Sequence, residues 1–188
     1  SDLANYLGTK YGGWYPAAKD YGMHDKKWVA IMMGAAGATL VGRGSQIKAA
    51  GFDQFPRDMA GSLKLCQALK AKGTPPGFAL GNATGDSNWS FWLLWGHGGK
   101  MVDAKNNVVI NSPETIAALE YAKQLYDTFI PGTLSWLAPN NNKAFLDGQI
   151  SLTNNGISVY YAAKTSQDAK LQELANDIQH YPFPLGVD

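Results

Sequence analysis

Short apolar segments alternate with helical patterns along this sequence, and that alternation constrains its fold more than any other feature. Residues 28–41 and 149–153 have the composition of strands. A strong helix start is Ser112-Pro113-Glu114, because Ser can cap, Pro needs no amide partner at the first position, and Glu complements the positive end of a helix. Strands that alternate with helices predict an α/β fold.

Start and stop signals divide the rest of the chain into short elements. Asp58 is predicted to cap a helix whose apolar residues recur at helical spacing and which ends at Gly73. Residues 154–156, Asn-Asn-Gly, have the composition of a tight turn. The same reasoning predicts helices over residues 45–50, 89–97, 142–146 and 168–177, a further short helix beginning near Ser158, and a short buried strand over 78–80.

Charge and aromatic content indicate which ligands suit the chain. Its 188 residues hold 16 Lys and Arg against 15 Asp and Glu, which gives a formal net charge of +1. Recognition of a nucleic-acid duplex requires several clustered cations, so no nucleic-acid partner is expected. The 6 Trp, 9 Tyr and 7 Phe are accompanied by 12 Asn. Flat rings and neutral amides suit uncharged polar ligands better than they suit nucleic acid.

The sequence lacks the patterns that most catalytic or cofactor chemistry requires. No glycine-rich stretch fits a nucleotide-binding fingerprint. His24, His97 and His180 are far apart in the sequence, so neither a metal nor a cofactor is expected, and His97 is assigned a structural role. The sole cysteine, Cys66, lies between leucines at helical spacing and is predicted to be a buried core thiol. The apolar, uncharged stretch over residues 28–42 is shorter than the roughly 20 residues of a membrane span.

An aromatic-rich cleft would also suit a glycoside hydrolase. That chemistry requires two carboxylates, about 5–5.5 Å apart for retention or about 6.5–9.5 Å apart for inversion. Asp86 lies in a predicted loop beside aromatic rings, and the nearest other acids are Asp53, Asp58 and Asp103. Nothing in the sequence pairs one of them with Asp86. A glycan-processing enzyme therefore stays open as an alternative, without nominated catalytic residues.

Rings and amides in predicted loops form a group suited to ligand contact. Loops on a rigid α/β scaffold are where binding residues concentrate, and rings supply apolar surface while Asp and Asn supply oriented hydrogen-bonding groups. For Trp92 and Trp95 the alternative is core packing, and for Asn155 it is a role in the turn alone. The candidate contacts are Asp86, Asn88, Trp89 and Trp92 at a helix start, Trp136 in the loop from Pro131 to Pro139, and Asn155 with Gly156.

Six motifs follow one another in an order and spacing that is more specific than any one of them. They are KWVAIMMGAAG (27–37), AAGFD (49–53), GGKMVD (98–103), NSPET (111–115), NKAFLDG (142–148) and LTNNG (152–156). With these motifs the sequence resembles the extracellular solute-binding proteins of carbohydrate-uptake ABC transporters, the maltose-binding-protein-like family. The resemblance runs along nearly the whole chain, and it departs from the family pattern at Met32, where Pro is expected.

The resemblance implies a periplasmic-binding-protein-like fold of type II, with two lobes that close on a ligand about a hinge. We expect residues 1–33 to hold the end of a lobe-one segment and the first hinge crossing. Residues 34–181 are expected to form lobe two, with a layered mixed sheet flanked by helices, and residues 182–188 to begin the return crossing. The chain is thus expected to be an internal fragment, without a signal peptide, of a protein that is monomeric when complete.

The resemblance also implies which positions contact the ligand. The loop after the 78–80 strand and the turn after residues 152–153 are contact segments in this family. At Gly37 some relatives place a polar contact, whereas a glycine offers only backbone or space for a larger ligand. The positions that the resemblance supports are Asp86, Asn88, Trp89, Trp92, Asn155, Gly156, Ser158 and Gly37.

The leading functional hypothesis is non-catalytic. We expect the protein to bind a sugar or glycoside between two lobes, in the periplasm or otherwise outside the cytoplasmic membrane, and to deliver it to the membrane permease of an ABC importer. The alternatives are a glycoside hydrolase, which would turn the ligand over, and a stand-alone carbohydrate-binding module. Because the chain is expected to be mainly one lobe, we expect it to bind weakly or not at all in isolation.

Overall fold

The chain divides into two compact units, Ser1–Gly37 and Ala38–Asp188. The computed structural model describes residues 2–34, 37–82, 88–137 and 139–187. Among these residues, no helix combines the length and the apolar character that crossing a bilayer requires. The expected lobe boundaries, after residues 33 and 181, stay predictions.

The described residues of the first unit form two helices and a hairpin whose strands are two residues long. Asp25 and Lys26, in the hairpin turn, have φ angles of 47° and 61°, because a two-residue turn between antiparallel strands favours the left-handed region. Trp14 donates from Nε1 to the Ala4 carbonyl at 2.9 Å, and its ring centroid lies 5.1 Å from that of Trp28. The elements are α1 (Asp2–Lys10), α2 (Pro16–Gly22), β1 (Met23–His24) and β2 (Lys27–Trp28).

The second unit contains a three-stranded sheet and most of the helices described. The strand order is β4-β3-β5, and β3 pairs with both neighbours in antiparallel orientation. The α/β class predicted from the sequence is confirmed. The elements are β3 (Thr39–Arg43), α3 (Gly44–Ala49), α4 (Met59–Ala71), α5 (Trp89–Gly96), α6 (Pro113–Tyr126), a 3₁₀ turn (Thr133–Ser135), α7 (Asn140–Leu146), β4 (Leu152–Asn155), α8 (Ser158–Lys164), α9 (Ala169–Asp177) and β5 (Ile178–Tyr181).

Sequence expectations about strands are wrong in three places. Residues 78–80, expected to form a short strand, belong to no strand. The strand expected over residues 28–41 is interrupted: β2 ends at Trp28 and β3 begins at Thr39. Small residues dominate between them, and they offer a sheet little side-chain surface to pack. The tight turn expected at residues 154–156 is displaced, because both asparagines belong to β4 and pair with β3.

The segment over residues 75–77 is hydrogen-bonded to the start of β4 and to the residue before it. The Ser151 N–H donates to the Pro75 carbonyl at 3.1 Å, and the Gly77 N–H donates to the Leu152 carbonyl at 2.9 Å. Pro76 has no N–H to contribute, and its carbonyl accepts from Ile130 at 2.9 Å instead. These bonds hold the segment beside the start of β4, and the strand pairs of the sheet itself are antiparallel.

The predicted helix caps are confirmed. Asp58 accepts from the Gly61 N–H at 2.7 Å at the start of α4. Ser112 accepts from the Thr115 N–H at 3.3 Å at the start of α6, and Pro113 occupies the first helical position. Each cap satisfies an N–H that has no partner within its own helix.

The sheet separates two hydrophobic clusters. Along β3, Leu40 packs with the cluster built mainly by α4, α5 and α6, whereas Val41 packs with the cluster built by α7, α8 and α9. This is the alternation of a strand that is covered on both faces. The loops and helix starts at the end of β4 are therefore held by two packed layers.

Two residues with reactive side chains are structural, as predicted. Cys66 is 1% exposed, and burial raises the pKa of its thiol to about 12. His97 Nδ1 lies 2.8 Å from the Leu93 carbonyl, and its ring centroid lies 5.5 Å from that of Tyr121. Both side chains thus serve the packing around α4, α5 and α6.

Candidate ligand-binding site

Polar groups gather where β4 ends and α8 begins. Asn155 is the last residue of β4, Gly156 follows it, and Ser158 is the first residue of α8. Asn155 and Gly156 are half-buried, whereas Ser158 is exposed. The structure brings together these three residues, which the sequence nominated as contacts.

Hydrogen bonds fix the orientation of the Asn155 amide. Its Oδ1 accepts from the Gly156 N–H at 2.8 Å and from the Ser158 hydroxyl at 3.1 Å. A backbone N–H can only donate, so the side-chain atom that it meets must be the amide oxygen. The nitrogen Nδ2 lies at the other end of the amide, where it donates to Oδ1 of Asn142.

This arrangement leaves a defined set of groups for a ligand. Asn155 Oδ1 already accepts two hydrogen bonds, whereas Nδ2 retains a second hydrogen. The Ser158 hydroxyl donates its hydrogen to Asn155 and keeps its lone pairs. Asn155 can therefore offer a donor and Ser158 an acceptor, and neither side chain is charged.

The backbone at the end of β4 is held from two sides. Thr39 donates from its hydroxyl to the Asn155 carbonyl at 3.0 Å. Asn141, which is 1% exposed, donates from Nδ2 to the Asn154 carbonyl at 3.0 Å. Sequence reasoning missed Asn141 and Asn142. The signal that could have found them is the run of three asparagines at a predicted helix start.

Trp89 lies in the core, and this position does not fit its expected packing against a ligand. Its side chain is 2% exposed, and Nε1 donates to the carbonyl of the buried Ala79 at 2.8 Å. Its ring centroid lies 5.0 Å from that of Phe78 and 6.1 Å from that of Phe129. The physical reason is that α5 is apolar on nearly every side. Such a helix is covered by other parts of the protein, and the side that carries Trp89 packs against Phe78 and Phe129.

Trp92 contacts residues near the C-terminal end of the sequence. Its Nε1 donates to the Pro184 carbonyl at 2.7 Å, and its ring centroid lies 5.3 Å from that of Phe183 and 6.1 Å from that of Tyr121. The side chain is half-buried. These contacts agree with the core-packing alternative for Trp92 and not with ligand contact.

Trp136 is also half-buried and packs against protein. Its ring lies beside Gly77, where a Cβ would come within 2.9 Å of it, and beside the cluster that contains Ile150. Its carbonyl accepts from the Gly81 N–H at 3.0 Å. Trp136 thus holds the loop that contains it against residues 77–81.

The exposed rings of α5 are a pair that the sequence did not nominate. Trp95 is 61% exposed, so the core alternative considered for it is wrong. Phe91 is 36% exposed, and the two rings stack with centroids 5.4 Å apart. Their spacing of four residues places them on one side of the helix, away from the buried Trp89.

The remaining nominated residues occupy separate places. Asn88 is exposed and directly precedes α5. Gly37 is exposed, and a Cβ added there would meet no atom within 4 Å. Asp86 lies outside the described residues.

The described residues do not form a metal site. Within the ranges that the structure describes, no group of three or more His, Cys, Asp or Glu residues could hold a metal ion. A groove of about 790 Å³ lies elsewhere in the second unit, beside the stacked rings of Phe55 and Tyr181. None of the nominated contact residues lines it.

Residues 1–184 match the sequence model of a family described as bacterial extracellular solute-binding proteins. The chain belongs to this family. No curated protein matches the sequence significantly. The description of this family names solute binding outside the cell, and it gives no support to the glycoside hydrolase alternative.

Solved structures share the fold of this family member. A maltose-bound protein of T. maritima matches with 20% identity and a TM-score of 0.83, over 97% of this chain and 46% of that one. A sugar transporter of Arthrobacter chlorophenolicus with bound laminaribiose matches with 19% identity and a TM-score of 0.77, over 99% and 46%. A solute-binding protein of Agrobacterium radiobacter in complex with ribitol matches with 20% identity and a TM-score of 0.76, over 97% and 46%.

These similarities establish the fold. The chain spans less than half the length of each of the three structures. The predicted fold class, an α/β lobe of the periplasmic-binding-protein type, is confirmed.

Proposed function

We propose that the protein is the substrate-binding component of an ABC importer. In this proposal it binds an uncharged sugar or glycoside between two lobes, in the periplasm or an equivalent extracytoplasmic space, and delivers it to a membrane permease. The described second unit would supply one face of that site. Family membership and the sugars bound to similar structures support the proposal.

The observation that carries the proposal is the uncharged, oriented network at the end of β4. Asn155 offers a hydrogen-bond donor and Ser158 an acceptor. A hydroxyl group both donates and accepts, so a ligand with adjacent hydroxyls can satisfy both residues at once. A carboxylate or a fully ionised phosphate would offer acceptors alone and would leave the acceptor of Ser158 without a donor.

We propose Asn155, Gly156 and Ser158 as the contacts from this edge of the sheet. Asp86, Asn88 and Gly37 stay proposals from the family resemblance. The three buried or half-buried tryptophans, Trp89, Trp92 and Trp136, would have to move to expose a ring face. For that reason we base the test on the amide and not on the rings.

Calorimetric titration of the full-length protein with maltose, laminaribiose and ribitol tests this proposal. We expect at least one of them to bind, and Asn155→Ala to weaken that binding about 3–10-fold, the effect of one neutral hydrogen bond. Asn176→Ala is the matched control, because Asn176 is exposed on α9 and distant in sequence from the site. Binding of none of the three ligands, or equal affinities in the two variants, would contradict the proposal.

Two further measurements address the alternatives. Incubation with maltose and laminaribiose should leave both intact, since product formation would indicate a glycoside hydrolase. The 188-residue chain alone should bind weakly or not at all, because one face of a two-lobed site supplies only part of the contacts. Equal affinity of this chain and the full-length protein would instead indicate a stand-alone carbohydrate-binding module.

A further inference from the structure

The first turn of α7 carries two asparagines that contact the end of β4. Asn141 donates from Nδ2 to the Asn154 carbonyl, and Asn142 accepts from Asn155 Nδ2 through Oδ1. Neither Asn141 nor Asn142 is among the contacts nominated from the sequence. Their bonds connect a helix start to the backbone and side chains of the candidate site.

Along the outer edge of β4, Asn141 donates a hydrogen bond of the kind that a neighbouring strand would supply. On that edge the Leu152 carbonyl accepts from the Gly77 N–H at 2.9 Å. Carbonyls of alternate residues point to the same side of a strand, so the next carbonyl along this edge belongs to Asn154. Asn141 donates to it from a buried position. This bond fixes the start of α7 against β4 and thereby fixes the position of Asn142.

We propose that Asn142 is a positioning residue that holds the Asn155 amide with its second Nδ2 hydrogen available to a ligand hydroxyl; this inference rests on the function proposed above. Gly156 and Ser158 hold the oxygen end of the amide, and Asn142 holds the nitrogen end. An amide tethered at both ends has little rotational freedom to lose when a ligand binds, so its donor is already oriented.

Two substitutions separate this positioning role from a purely structural one. Asn142→Ala removes the acceptor, whereas Asn142→Asp keeps an acceptor oxygen on a side chain of nearly the same size. Both are compatible with the helix, because alanine has the highest helix propensity and an acid is favourable in the first turn. Asn140→Ala is the matched control, since Asn140 is exposed and accepts from the Leu137 N–H at 2.8 Å instead.

The first readout requires no ligand. NMR of the full-length protein measures water exchange of the Asn155 side-chain amide, whose signals are identified by their loss in Asn155→Asp. We expect exchange to accelerate about 3–10-fold in Asn142→Ala, the factor for one neutral hydrogen bond, and to change less than about twofold in Asn142→Asp and Asn140→Ala. Unchanged exchange in Asn142→Ala would overturn the positioning role, independently of the affinities measured for the ligands.

The second readout is the affinity for whichever of maltose, laminaribiose and ribitol the wild-type protein binds most tightly. We expect Asn142→Ala to weaken binding about 3–10-fold and Asn142→Asp to restore it. Equal weakening in both variants, or unchanged affinity in Asn142→Ala, would overturn the inference. If none of the three probes binds, the proposed function fails, and amide exchange alone decides whether Asn142 positions Asn155.

Discussion

Replacement of Trp89 by alanine distinguishes a core tryptophan from a ligand-binding one. Trp89 is 2% exposed, and its ring packs beside those of Phe78 and Phe129. Its indole N–H donates to the Ala79 carbonyl at 2.8 Å. A core position predicts that Trp89→Ala destabilises the fold and has no selective effect on ligand affinity.

The expected magnitude follows from two losses. Truncation of a buried tryptophan to alanine costs about 3–5 kcal/mol of unfolding free energy, through lost burial and the cavity left behind. The Ala79 carbonyl also loses its donor, and an unsatisfied buried acceptor costs about 1–3 kcal/mol. Trp89→Phe retains a ring and should show mainly the second loss. Trp95→Ala is the control on the same helix, because Trp95 is 61% exposed, and it should cost under about 1 kcal/mol.

Urea unfolding followed by far-ultraviolet circular dichroism measures these differences without relying on tryptophan fluorescence. Sugar affinity is then measured on Trp89→Phe, which we expect to stay folded and to bind like the wild type. A loss of less than about 1 kcal/mol in Trp89→Ala would refute the core assignment, because it lies below the range for a buried tryptophan. So would a Trp89→Phe variant of wild-type stability that binds sugar about tenfold more weakly, a loss larger than one neutral hydrogen bond explains.

Three further predictions concern the scaffold. Asp58→Ala should lower the unfolding free energy by about 1 kcal/mol in urea titrations, since it removes the cap of α4. Burial raises the pKa of Cys66 from 9.0 to about 12, so its contribution to stability is complete below pH 9 and falls as the pH rises through that interval. Gly81→Ala should lower the melting temperature, because its Cβ would lie 2.2 Å from the Trp136 carbonyl and cost about 1–3 kcal/mol.

Each of these predictions has a control variant. Asp53→Ala should change stability by under about 0.5 kcal/mol, because Asp53 is exposed and caps no helix described here. Cys66→Ala should reduce the alkaline loss of stability, and an unaltered pH profile would contradict the thiol's part in it. Gly34→Ala should leave the melting temperature unchanged, since a Cβ there meets no atom within 4 Å. A cap variant as stable as wild type would refute the role of Asp58.

The helices could be predicted where the signal is local. Asp58 and Ser112 cap α4 and α6 as expected, because a cap needs only a side-chain oxygen and N–H groups a few residues away. β5, over Ile178–Tyr181, was not predicted, since a four-residue segment with Gln and His has no clear alternation. Its pairing with β3 supplies what its own sequence does not.

The tryptophans show where sequence reasoning about the site could not succeed. Trp89, Trp92 and Trp95 lie within seven residues of one another on α5, and composition alone does not separate them. In the folded protein Trp89 is buried, Trp92 donates a hydrogen bond to the Pro184 carbonyl, and Trp95 is exposed. Which side of an apolar helix faces the core depends on its neighbours, and those neighbours come from distant segments such as residues 78 and 129.

The sequence by itself determined the α/β class, the main helices and their caps, the buried thiol and the segment that contains Asn155. These depend on periodicity and on contacts between residues close in the chain. The orientation of the Asn155 amide was decided only in the tertiary structure, where α7 brings Asn142 to its nitrogen and α8 brings Ser158 to its oxygen. A hydrogen bond between elements has a direction and a length, and packing sets both once the two elements lie side by side.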